Sequence, residues 1–381
     1  MSRRLDHWIF DSYALTPRSL GIARIVVASY LVSYRASDLR WMTTLPDTFF
    51  RPPAGPLRLV GGVPSSGELT ALSMALSIAT VALLVGYHTR VASCLTGLLL
   101  FTVDGLTYSF GHAHHSGTYL SAVLVIMAAS NWGSAYSIDA LRRRTEPAGP
   151  RWPIALAALL LGFLMLTAAL PKIASGWLDP STLGVRAHVV HYHFLAPGDG
   201  LLGRLSLRTD SIAVWKPLDY FTLLFETGFA AAIFSPRWTR LFCAVAVVFH
   251  FGIFLAFGID FTPSVAAYAV FFEWSAVADR VAVPDGLRAL PDPGRRLLRH
   301  TRAAGAAVVL AGTALYLLRA HVGAPLRNVA PPVVANPDQA ATLLVFAAAV
   351  PLAVAYIVFR GIRATRRLMR RAIEPVAVPS V

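Results

Sequence analysis

The sequence predicts an all-α, polytopic integral membrane protein. Three observations carry this reading: 56% of its 381 residues are hydrophobic, only 14% are charged, and the apolar residues gather in runs long enough to cross a bilayer. Such a composition lies outside that of water-soluble domains. A helix needs about 20 mainly apolar residues to cross the hydrocarbon layer. Runs of that kind fall at 18–35, 68–86, 90–110, 116–133, 153–171, 219–235, 238–258, 261–280, 301–320 and 341–359, which predicts about ten spans.

Each part of the chain fits this scheme. Leu5 to Leu15 carries Trp8, Ile9 and Phe10 beside Arg3, Arg4 and Asp6, the mixture of a helix lying in the membrane interface. Two connections are long. The one between the first two spans contains Pro46, Pro52, Pro53 and Pro56 and is expected to be irregular. The one between spans five and six holds the apolar, His-rich stretch Val185 to Phe194, read as a docked element. Residues 284–300 are rich in Pro, Asp and Arg and divide an eight-span body, 1–283, from a two-span segment, 301–381, that ends in a basic stretch.

The formal charge of +14 comes mainly from arginines in short connections, which is a topology signal and not a nucleic-acid surface. With ten spans, twenty-two of the thirty-four Lys and Arg fall on the side of the N-terminus and eleven on the other, with Arg24 inside a span. The positive-inside bias predicts a cell-membrane protein with both termini cytoplasmic. Cys94 and Cys243 lie inside predicted spans, so no disulfide framework is implied.

Only two of the basic residues are lysines, Lys172 and Lys216. Arginine cannot give up its proton and lysine can, so Lys172 at the outer end of span five is the first candidate for chemistry. A lysine snorkelling to the headgroups occupies the same place, and Trp177 can equally be a belt aromatic. His115 opens span four, with Tyr119 one turn further on the same face. His250 lies deep in span seven, where it is either an interhelical hydrogen bond or part of a site. Glu226, Asp104 and Arg24 are intramembrane charges that must find partners and are read as a structural polar cluster; Arg24 and Glu273, both toward the cytoplasmic side, are placed to neutralise each other. His112, His114, His115, His188, His191 and His193 match no zinc spacing, so no metal is expected. P-loop, GxSxG and HExxH motifs are absent from the sequence.

Several stretches together resemble one family. Ala169-Leu-Pro-Lys-Ile-Ala-Ser-Gly-Trp177 is similar to the part of vitamin K-dependent γ-carboxylases where an apolar helix ends at a lysine followed by a tryptophan. Gly111-His-Ala-His-His-Ser-Gly-Thr-Tyr119, Trp132 and Tyr136-Ser-Ile-Asp-Ala140 resemble that family's His-Ser segment and Trp-Ser-x-Asp element. Phe249 to Ile259 resembles its later His-containing helix, and Leu20 to Arg24 and Gly86 to Arg90 its opening elements. The broader group is the HTTM, or horizontally transferred transmembrane, domain family. The resemblance implies carboxylase-like lyase or quinol-oxidising chemistry with reduced quinone as cofactor. Lys172 would be the base, His115 and His250 its partners, and Trp177 and Tyr119 would contact the cofactor. Partners would be the bilayer, a lipophilic small molecule or a peptide. Two other readings compete: a non-catalytic anchoring or sensing module, and a transporter using Glu226, Asp104 and His250.

Overall fold

A computed structural model describes residues 3–33, 39–111, 115–142, 149–195, 202–280, 301–326 and 337–373. All regular structure among them is helical. The helices are α1 (Arg3–Phe10), α2 (Pro17–Ser33), α3 (Ser66–Val85), α4 (Thr89–Tyr108), α5 (His115–Met127), α6 (Ile138–Arg142), α7 (Trp152–Ala174) and α8 (Gly184–Leu195). They continue with α9 (Gly203–Ser206), α10 (Ile212–Ala232), α11 (Pro236–Phe257), α12 (Thr262–Tyr268), α13 (Ser275–Arg280), α14 (Thr301–Leu326) and α15 (Pro337–Ile373). The predicted 284–300 linker lies outside the described residues.

Packing closes α2, α3, α4, α5, α7, α10, α11 and α12 into a ring, since α12 returns to both α2 and α5. α14 lies on α3, and α15 on α11 and α12. Small residues permit the close approaches. At Gly97 of α4, a β-carbon would come within 2.8 Å of the Ser121 carbonyl oxygen of α5, the small-residue contact typical of helices packed in lipid. Outward, Val91, Leu95 and Leu98 of α4 and Leu156, Leu159 and Phe163 of α7 are exposed at helical spacing. Such apolar stripes are stable against lipid and not against water.

Among the described residues, six helices are long and apolar enough to cross a membrane, against ten predicted: α3, α4, α7, α11, Arg302–Arg319 of α14 and Ala341–Arg366 of α15. The shortfall has local causes. Span four stops at Met127, before the turn built on Ser130, Asn131 and Trp132, and α12 is shorter still. α2 has 17 residues. α10 has 21 but carries Lys216, Asp219 and Glu226. The first long connection contains short 3-10 helices at Leu39–Thr44, Asp47–Phe49 and Pro56–Leu59. The predicted interfacial helix is docked: Trp8 is buried and its indole donates to the Ile233 carbonyl at 3.0 Å.

Helix termini follow from local chemistry. α3 opens on a reciprocal capping box between Ser65 and Glu68 and closes at Gly86, φ 67°. α4 begins where Asp139 accepts from the amides of His88 at 3.0 Å and Thr89 at 2.7 Å. A carboxylate there also complements the helix dipole.

Candidate functional site

The site is built at the end of the ring where α7 finishes. α7 ends in a Schellman motif: Gly176, at φ 83°, donates to the Ile173 carbonyl at 3.1 Å, and the Trp177 amide reaches back to the Lys172 carbonyl at 3.1 Å. Glycine is favoured at the left-handed position, and the six-residue closure returns Trp177 over Lys172. The five-residue spacing of lysine and tryptophan is therefore a cap geometry. It places the Lys172 Nζ 5.7 Å from the centroid of the indole ring, a cation-π approach.

Lys172 meets α10 across the ring. Its Nζ donates to both carboxylate oxygens of Glu226, at 2.5 and 2.7 Å, with 22% of the lysine side chain and 7% of the glutamate exposed. Two charges this poorly hydrated hold together because each satisfies the other. The pair borders a cavity of about 740 Å³ whose other lining is predominantly apolar. Tyr119, Trp177, His188 and His250 also line it.

His250 is buried, its Nε2 lies 2.9 Å from the Tyr268 hydroxyl, and its ring stacks on Phe261 at 4.4 Å between centroids. Tyr119 is buried and donates to the Ala157 carbonyl at 3.3 Å. The cavity thus offers an ion pair and the His250 imidazole in a predominantly apolar lining, a pattern suited to a lipophilic molecule with a small polar head.

Of the residues singled out in the sequence, Lys172, Trp177, Tyr119, His250 and Glu226 come together on this cavity. His115 begins α5, but its side chain lies outside the described portion, as do His112 and His114 altogether. Glu226, Asp104 and Arg24 do not form one cluster. Glu226 belongs to Lys172, and Asp104 faces α5 at Gly117, where any β-carbon would strike its carboxylate. Arg24 is at the opposite end of the ring, donating to the carbonyls of Leu83 at 2.5 Å, Leu84 at 2.7 Å, Trp132 at 3.1 Å, Ala135 at 3.5 Å and Tyr136 at 2.5 Å. Nor does Arg24 neutralise Glu273, which accepts from Thr16, Ser19 and Ser275. Five carbonyl partners replace the expected carboxylate because Arg24 sits between the end of α3 and the 132–136 turn, where backbone carbonyls from both converge. Among the described residues no three His, Cys, Asp or Glu gather as a metal would require.

Sequence reasoning missed Lys216 and Asp219. Both are buried on α10, and their i, i+3 spacing was a usable signal. Lys216 Nζ donates to the Trp177 carbonyl at 2.8 Å, the Thr182 carbonyl at 2.9 Å and Asp219 Oδ2 at 3.2 Å. Asp219 in turn accepts from the amides of Gly184 at 3.0 Å and Val185 at 2.7 Å, capping α8. Both lysines of the chain therefore serve this one region.

No curated protein and no solved structure matches the chain. Residues 14–275 match the HTTM domain, a stretch that contains the whole ring and every residue of the cavity. This multi-pass membrane protein belongs to the HTTM domain family.

Proposed function

We propose that the chain is a membrane enzyme in which Lys172 is a base acting on a quinone-like or other lipophilic substrate held in the apolar cavity. The observation that carries the reading is the Lys172–Glu226 pair on the wall of that cavity. An ammonium there is not yet a base. Transfer of its proton to Glu226 along the 2.5 Å hydrogen bond leaves a neutral amine and a neutral carboxylic acid, with no charge left to desolvate. The amine lone pair then takes a proton from a hydroxyl of the substrate, and the anion formed lies against the resulting ammonium. His250 and Tyr119 border the same space and would orient the substrate, while Trp177 covers the amine. Reduced quinone is the cofactor that the family resemblance implies. On this reading the wall bearing Lys172 faces away from the cytoplasm.

The test is aerobic oxidation of a reduced naphthoquinone by the purified protein in vesicles, followed by absorbance: the base forms the quinol anion, and dissolved dioxygen takes up the two electrons and two protons as the quinone is released as product. Wild type should exceed protein-free vesicles, and Lys172→Ala and Lys172→Arg should each lose on the order of 100-fold or more. Arginine keeps the charge and cannot serve as the base. A fully active Lys172→Arg variant would remove the base role. Failure of the wild type to oxidise the probe would remove the quinone.

A second reading is favoured by the closure of the same pair: a bidentate bridge joining α7 and α10 is also what a structural latch in a non-catalytic membrane module would look like. It predicts that Lys172 can be replaced, together with Glu226, without functional loss. The transporter reading needs Glu226, Asp104 and His250 on one path, and Asp104 does not line the cavity.

A further inference from the structure

The roof of the cavity carries a group the catalytic reading leaves unused. α8 is fixed at its N-terminus by Asp219, and the turn before it by Lys216, so its first residues are held firmly over the cavity. His188, one turn into α8, lines the cavity and is also exposed at the surface. Its Nδ1 lies 3.0 Å from the Gly184 carbonyl oxygen. A carbonyl only accepts, so Nδ1 carries the ring proton and, in the neutral imidazole, Nε2 keeps its lone pair. Among the described residues no hydrogen bond reaches Nε2. The ring stands edge-on to Trp177, with centroids 5.3 Å apart and planes at 74°. One indole therefore has the Lys172 ammonium on it and the His188 imidazole against it, each within 6 Å.

We infer that His188 Nε2 is the hydrogen-bond acceptor with which the mouth of the cavity recognises a hydroxyl on an amphiphilic ligand. The inference rests on the cavity being a lipophile site, and it does not need Lys172 to act as a base. Lys172 and Glu226 satisfy each other in the resting state, so an arriving hydroxyl needs an acceptor elsewhere. A ring whose tautomer is already fixed by its own helix presents one without reorganisation. The ligand class is an apolar body with a terminal hydroxyl, its head toward α8 and its body along the cavity.

The experiment compares dodecanol with dodecyl methyl ether, which lacks the donor, on the full chain in zwitterionic lipid nanodiscs. Binding is read by native mass spectrometry, and the nitrogen resonances of ¹⁵N-labelled histidine are followed in parallel. Wild type should favour the alcohol on the order of 3- to 10-fold, the range of one net hydrogen bond, and the Nε2 signal of His188 should move with the alcohol alone. His188→Phe, which keeps a ring against Trp177, should hold the ether as before and lose the preference. The double variant Lys172→Met/Glu226→Leu, which removes both charged groups together, should retain the preference. Equal binding of the two probes by wild type, an unmoved Nε2 signal, or a preference surviving in His188→Phe overturns the inference. So does loss of the preference in the double variant, which would place recognition at the ion pair. If neither probe binds, the inference falls along with the lipophile reading of the cavity. An intact preference beside a fully active Lys172→Arg sinks only the base.

Discussion

The two ends of the helical ring use buried cations in opposite ways. At one end Arg24, fully buried, points its guanidinium at five backbone carbonyls where α3 ends and the 132–136 turn passes. At the other, Lys172 is paired to one carboxylate on the wall of a large apolar cavity. Arg24 uses the fork of an always-charged group to fasten the end of α3 to the 132–136 turn. Lys172 is a group that can exchange its proton, placed beside one that can accept it. The difference teaches that a charge inside a span is informative only with its partners: backbone acceptors mark a fastener, whereas a titratable partner on the wall of an apolar cavity marks a candidate site.

This contrast can be broken from either end. The largest effect is expected for Arg24→Met, which strands several buried carbonyls at once. It should cost about 3–5 kcal/mol, seen as a steep fall in the unfolding temperature in detergent. Next comes Glu226→Leu, which leaves a poorly hydrated ammonium without its carboxylate and should destabilise by about 3 kcal/mol. Smallest is Asp139→Ala, the loss of an N-terminal cap on α4, at about 1 kcal/mol. Ligand binding in the cavity should survive it unchanged. A stable Arg24→Met protein, or a cavity emptied by Asp139→Ala, would erase the distinction between the two ends.

Much of this was legible in the sequence. Membrane spans follow from length and hydropathy, and Lys172 stood out as one of two lysines among thirty-four basic residues. Trp177, Tyr119 and His250 were each identifiable from residue type and depth. Their convergence was less so. Lys172 and Glu226 are 54 residues apart, and nothing local says that α7 and α10 are neighbours, so Glu226 was grouped with Asp104 and Arg24 by charge alone. The sixth apolar run begins at 219, beyond Lys216, whereas α10 begins at Ile212. Within the fold, burial and mutual pairing make that segment helical. The Ser137-Ile-Asp139 element entered as part of the family resemblance, with no role of its own. In the structure Asp139 caps α4, and the Ser137 hydroxyl donates to the Gly133 carbonyl at 2.5 Å, so it belongs with the fasteners.

The account turns on whether the Lys172–Glu226 pair is chemistry or a latch, and the double variant Lys172→Met/Glu226→Leu separates these directly. Replacing both partners with apolar groups of similar size removes the charges together, so stability in detergent should return to within about 1–2 kcal/mol of wild type. The account predicts that this folded protein fails to turn over the reduced naphthoquinone that wild type oxidises. Turnover at the wild-type rate by the double variant would contradict it.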